Sequence, residues 1–123
     1  MNPTLRILAV DDQESITQSM RFIFPEPRYA VTGAESGDDA LAKLDANLDA
    51  YDVIIIDQKM PFLTGLELVQ ELSKRSFSGR IMVLSAHLSP EIRAAYEEMN
   101  VHVILDKPFD IDELRTALDQ LAA

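Results

Sequence analysis

Apolar residues along this chain fall into two kinds of segment that alternate. The first kind is a short run. Leu5 to Val10, Val53 to Ile56, Ile81 to Leu84 and Val101 to Leu105 are nearly continuous in Val, Ile and Leu, the pattern of strands buried on both faces of a parallel sheet. Arg28 to Thr32 reads as a further short strand. The second kind repeats at helical spacing. Ile16, Met20 and Ile23 stand at i, i+4 and i+7 before Pro25, and Ala40, Leu41, Leu44 and Leu48 follow the loop Ser36-Gly37-Asp38-Asp39, in which Ser36 caps a second helix. Thr64 and Glu67 have capping-box spacing and open a third helix with Leu66, Val69 and Leu72 inward. Ser89 and Pro90 read as the N-cap and first position of a fourth, carrying Ile92, Ala95, Tyr96 and Met99. Asp110 and Glu113 cap a fifth, with Leu114, Ala117, Leu118 and Leu121 on its core side. A β-α alternation repeated five times, with right-handed crossovers, predicts an α/β fold: a five-stranded parallel sheet with helices on both faces.

The chemistry sits where the runs stop. Val53 to Ile56 ends in Asp57, and Gln58-Lys59-Met60-Pro61 follows at once. The carboxylate is therefore left at the C-terminal edge of a central strand, where open α/β sheets bind ligands. Taken alone, Asp57 is equally a loop cap, and Asp11-Asp12 after the first strand is equally a helix N-terminus, since Asp suits the positive end of the helix dipole. The strand ends gain meaning together. If the first, third, fourth and fifth strands lie side by side, Asp11, Asp12, Asp57, Ser85 and Lys107 share one rim. Three close carboxylates repel one another unless a cation joins them, and a hard, oxygen-seeking ion such as Mg²⁺ meets that need. A phosphoryl group on Asp57 would then face the metal with one oxygen, Lys107 with another and the Ser85 hydroxyl with a third. Asp57 would be the nucleophile, attacking in line to form an acyl phosphate.

Composition narrows the classes. The 123 residues suit one domain, without an internal repeat, low-complexity segment or linker. There is no cysteine, which excludes disulfides and thiol-based metal or nucleophile chemistry. The net charge is −10 and the eleven Lys and Arg residues are scattered, so nucleic-acid binding by this domain is not expected. No apolar run approaches the roughly 18 residues needed to cross a bilayer, and Asn2 excludes N-myristoylation. The expected location is the cytoplasm, away from membranes.

Four motifs together carry a resemblance. The acidic pair Asp11-Asp12, the stretch Asp57-Gln58-Lys59-Met60-Pro61, Ser85-Ala86 and Lys107-Pro108-Phe109 occur in that order, each at a strand end. Over essentially its whole length the chain resembles a receiver domain of the bacterial two-component response-regulator family, chemotaxis regulators included. The resemblance implies a flavodoxin-like doubly wound (βα)5 sheet of order 2-1-3-4-5, with Asp57 as phosphoacceptor from a histidine of a sensor kinase or phosphotransfer protein. It implies Mg²⁺ held by Asp12, Asp57 and the backbone carbonyl of Lys59, with Asp11 helping through water. Lys107 would pair with the phosphoryl oxygens, and Ser85 with the Ala86 N–H would move toward them. That movement would bias a surface made of the fourth helix, fifth strand and fifth helix. The first helix near Gln13 and Glu14, with Phe109, would receive the phosphodonor, and an unnamed protein would read the switched surface. The domain would be a monomer or a weak dimer through the switched surface, and an acceptor that assists its own dephosphorylation rather than a turnover enzyme. No output domain follows Leu121, so residues 1–123 are expected to be a receiver alone, whether a free-standing element or a piece of a longer regulator.

Three departures bear on this expectation. Ile104 stands three positions before Lys107, where the family usually has an aromatic ring that rotates inward, so the familiar form of surface signalling is not expected. Lys59 and His87 flank the site and are read as rim residues that tune water access, against the alternative of solvated side chains without effect. Phe62 and Leu63 are expected to pack over the pocket. His102 is read as structural or exposed rather than a ligand. Two rival phosphate chemistries fit less well. A phosphohydrolase of the haloacid dehalogenase type needs two acids separated by one residue after the first strand, and a flavodoxin phosphate loop offers hydroxyls and N–H groups where Asp11-Asp12 would repel. A phosphorylation-independent interaction module built on the same fold remains the alternative function.

Overall fold

The computed structural model describes residues 3–60, 63–86 and 88–122. Its elements alternate as the apolar pattern requires: β1 (Leu5–Val10), α1 (Glu14–Ile23), β2 (Tyr29–Ala34), α2 (Gly37–Ala46), β3 (Val53–Asp57), α3 (Gly65–Lys74), β4 (Arg80–Ser85), α4 (Pro90–Glu98), β5 (Val103–Asp106) and α5 (Ile111–Ala122), with one 3₁₀ turn at Leu48–Ala50. All the strand pairs are parallel and their order is β2-β1-β3-β4-β5. The expected doubly wound sheet is therefore present, with β3 in the middle and buried throughout.

The period of two along each strand divides the core in two. Leu8, Val10, Ile54, Ile56 and Val83 point to the face covered by Ala40, Leu44, Leu68, Val69, Leu72 and Tyr96 of α2, α3 and α4. Ile7, Ala9, Val53, Ile55, Met82 and Leu84 point to the other, covered by Met20 of α1 and Leu114, Leu118 and Leu121 of α5. Helix starts follow the predicted caps. Ser36 accepts from the Asp39 N–H at 3.0 Å, Ser89 from Ile92 at 3.2 Å and Asp110 from Glu113 at 2.7 Å. Thr64 and Glu67 close a full capping box.

Four local readings need correction. The inward stripe of α1 is Thr17 and Met20 continued by Phe24, while Ile16 is 37 % exposed. The pattern of one helix turn does not say which neighbour of Met20 faces the sheet. Leu68, fully buried, joins Val69 and Leu72 in the core. Leu48 lies beyond the end of α2, in the 3₁₀ turn. β5 begins at Val103 because His102 intervenes: its Nδ1 accepts the Ile81 N–H at 3.1 Å, while its own N–H donates to the Ile81 carbonyl at 3.1 Å. The imidazole takes the place of a strand carbonyl, which requires the neutral ring. Burial first, and then Arg80, lower its pKa in keeping with that role.

Candidate functional site

Parallel strands in register bring their ends to one edge. Val10 pairs with Ile56, Asp57 with Leu84 and Ser85 with Asp106, so residues just past β1, β3, β4 and β5 stand in a row. Asp11, Asp12 and Asp57 each present a carboxylate oxygen, all within 4.8 Å of one another. Asp57 is 8 % exposed and Asp11 6 %, whereas Asp12 is open to solvent. Lys107 reaches across from the end of β5 and donates from Nζ to Asp57 Oδ1 at 3.1 Å. A cleft of about 570 Å³ lies over them, lined by Asp12, Gln13, Asp57, Lys59, Met60, Ala86 and Lys107.

The electrostatics are unbalanced. Burial pushes the Asp11 carboxyl up to about 6, and the nearby Asp57 and Asp12 push the same way. The Gln13 N–H, which donates to Asp11 Oδ1 at 2.9 Å, opposes this. Its two-residue spacing is an Asx turn that the sequence could have yielded. Hard carboxylate oxygens, close together, partly desolvated and short of positive charge, form a donor set that fits a divalent cation of the oxygen-seeking kind.

Other expected site residues fall as follows. Ser85 is buried at the end of β4, one residue past the partner of Asp57, and its carbonyl accepts the Lys107 N–H at 2.7 Å. Ala86 lines the cleft, and Phe109 packs partly buried against the α1–α5 core. Ile104 is partly buried against the opposite core. Leu63 does not cover the cleft as expected. It packs on Gly37 at the start of α2, where a Cβ would meet its side-chain carbons at 2.5–2.9 Å; the missing Cβ leaves the room that draws it away. Pro61, Phe62 and His87 lie outside the described residues. Sequence reasoning missed an ion pair beside the site, Arg93 of α4 to Asp106 of β5 at 2.9 Å, since thirteen residues separate the partners.

The model of the response regulator receiver domain matches residues 7–119. The chain belongs to that family. Response regulator MprA of Mycobacterium leprae is 34 % identical over 110 residues, 89 % of this chain and 47 % of that protein. Sensory/regulatory protein RpfC of Xanthomonas campestris pv. campestris is 31 % identical over 126 residues, 97 % of this chain and 17 % of that protein. Chemotaxis protein CheY4 of Vibrio cholerae superposes with a TM-score of 0.85 at 32 % identity, covering 96 % of this chain and 98 % of the other. The receiver domain thus spans less than half the length of these curated relatives. The fold and the family expectation stand. Among the described residues no helix is long and apolar enough to cross a membrane.

Proposed function

We propose that this receiver domain accepts a phosphoryl group on Asp57 from a histidine of a sensor kinase or phosphotransfer protein. The observation that carries the proposal is the 3.1 Å contact between Lys107 Nζ and Asp57 Oδ1 within a cluster of three carboxylates at the strand ends. A carboxylate oxygen of Asp57 attacks phosphorus; the new O–P bond forms as the N–P bond to the donor histidine breaks and its electron pair returns to the ring nitrogen. Lys107 would offset charge on the phosphoryl oxygens from one side, and the Ser85 hydroxyl and Ala86 N–H would donate to them from the other. Asp12, Asp57 and the Lys59 carbonyl would hold Mg²⁺, with Asp11 through water. Bound there, the cation supplies the positive charge that three carboxylates and a phosphoryl group together require.

The domain then acts as an acceptor and switch rather than as a turnover enzyme. The donor docks by α1 near Gln13 and Glu14 and by Phe109, and the face of α4, β5 and α5 presents the outcome to a protein target. That same face would carry any weak self-association.

Intact mass after incubation with acetyl phosphate, with and without Mg²⁺, beside Asp57→Ala, tests the reading. Gain of one phosphoryl group that needs both the metal and Asp57 is expected. No gain in the folded wild type would instead support a phosphorylation-independent interaction module.

A further inference from the structure

One pair of buried polar groups is used neither by the core nor by the cleft. Tyr96 of α4 is 0 % exposed. Its hydroxyl has no hydrogen-bond partner among the described residues, and neither has the carboxamide oxygen of Gln58, the residue after Asp57. The two oxygens are neighbours: both lie within 3.0 Å of the point where a Cβ on Gly65 would stand. A hydroxyl can donate and a carboxamide oxygen can only accept, so each is what the other lacks. Leaving both unpaired in the interior opposes folding, so a state of the protein in which they pair gains what this one lacks.

Their position links the acceptor to a helix. The backbone of Gln58 is held on two sides, its N–H donating to the Leu84 carbonyl at 2.9 Å and its carbonyl accepting the Gly65 N–H at 3.1 Å. Its carboxamide oxygen has no such tie among the described residues. The Tyr96 ring fills the core beneath α4, and Ile92, Leu88 and Ile104 pack against that cluster. The field of Asp57 reaches the hydroxyl, since burial first and then the Asp57 charge hold it protonated far above the usual tyrosine range. A phosphoryl group would increase the negative charge at the end of β3 and favour a Tyr96 O–H that donates toward that end, where Gln58 directly follows Asp57.

We infer that Tyr96 is a positioning residue that passes the loading of Asp57 to α4, its hydroxyl turning to donate to the Gln58 carboxamide oxygen. This rests on the acceptor reading of Asp57. The aromatic side chain that couples site to surface then comes from α4 and is already inside, so Ile104 of β5 need not rotate.

The test uses beryllofluoride with Mg²⁺ as a phosphoryl mimic, read by amide NMR. In wild type, amides around Asp57 and those of α4 both shift. In Tyr96→Phe the adduct still forms at Asp57, and the α4 shifts fall by at least about threefold, as expected when the contact that distinguishes two states is removed. Gln58→Met gives the same loss, and the double variant no more than either. Without the mimic, Tyr96→Phe melts at or above the wild-type temperature, because it deletes an unpaired buried hydroxyl. Wild-type α4 shifts in Tyr96→Phe, loss of its adduct, or a clearly lowered melting temperature would each overturn the inference. A wild type that takes no adduct refutes the acceptor reading itself, and this inference with it.

Discussion

The two edges of the sheet use carboxylates in opposite ways. At the N-terminal edge Asp52 is matched: the Arg6 N–H donates to Oδ2 at 2.9 Å, and the guanidinium reaches Oδ2 at 3.1 Å and Oδ1 at 3.0 Å. The Arg6 hydrogen bond holds the Asp52 carboxyl below its ordinary range. At the C-terminal edge three carboxylates crowd together and Asp11 is pushed up to about 6. Both edges carry a cavity, about 420 Å³ beside Arg6, Asp52 and Arg80 and about 570 Å³ over Asp57. Cavity size therefore says little, and charge balance says much. One edge closes the fold with a paired ion; the other keeps negative charge that Lys107 offsets only in part and that a bound cation would balance.

Removing the ammonium that reaches Asp57 should have the largest effect. Lys107→Ala takes away a charge-assisted donor aimed at the reacting group, and phosphoryl incorporation from acetyl phosphate should slow by about 10–100-fold. Intact mass against time checks this; a wild-type rate would remove Lys107 from the chemistry.

Acidity should separate the edges by sign. Asp11 has its pKa raised from 3.8 to about 6, so the stability it contributes is full below about pH 4 and is lost as pH rises through about 6, by up to about 3 kcal/mol. Asp52 is shifted down, so its contribution is full above its ordinary pKa and is lost as pH falls through the lower folded value. Thermal melts in chelator should show wild type losing ground to Asp11→Asn between about pH 4 and about pH 6. Against Asp52→Asn it should gain as pH rises from acid. Mg²⁺ at neutral pH should raise the wild-type melting temperature more than that of Asp11→Asn. Parallel curves for wild type and Asp11→Asn would mean that the charge crowding is not felt.

The acidic edge was legible in the sequence for a physical reason. Asp11, Asp57 and Ser85 each end a short apolar run and Lys107 stands two residues past the last one, and parallel strands of one sheet must finish on the same side. The capping pairs were equally plain, since Ser36, Thr64, Ser89 and Asp110 act on N–H groups three residues away. What escaped depends on distant partners. Arg6 and Asp52 are 46 residues apart, and only the β1–β3 pairing makes them neighbours. Tyr96 reads as core from its spacing; that its hydroxyl lies beside Gln58, without a partner among the described residues, follows from the meeting of α4, β3 and Gly65. The start of β5 was misplaced because a side chain, His102, can stand in for a strand carbonyl.

At the matched edge, Arg6→Ala should lower the melting temperature by a few degrees and leave phosphoryl incorporation at the wild-type rate. The pair is partly exposed, so solvent screens much of its attraction. A changed incorporation rate would mean that the two edges are coupled through β1 and β3.

The smallest effect belongs to the cleft rim. Lys59 is exposed and lines the cleft with Met60 and Ala86, and at that rim its long apolar stem would narrow the path by which water reaches Asp57. Lys59→Asn keeps a polar group but shortens the side chain, and hydrolysis of the phosphoryl group should quicken by a few-fold while its incorporation hardly changes. The split follows from position, because a rim residue acts on the attacking water and not on the bond first formed. Decay of the phosphorylated mass after removal of acetyl phosphate measures it. An unchanged lifetime would show that Lys59 is solvated without effect, and that exclusion of water is left to groups deeper in the cleft.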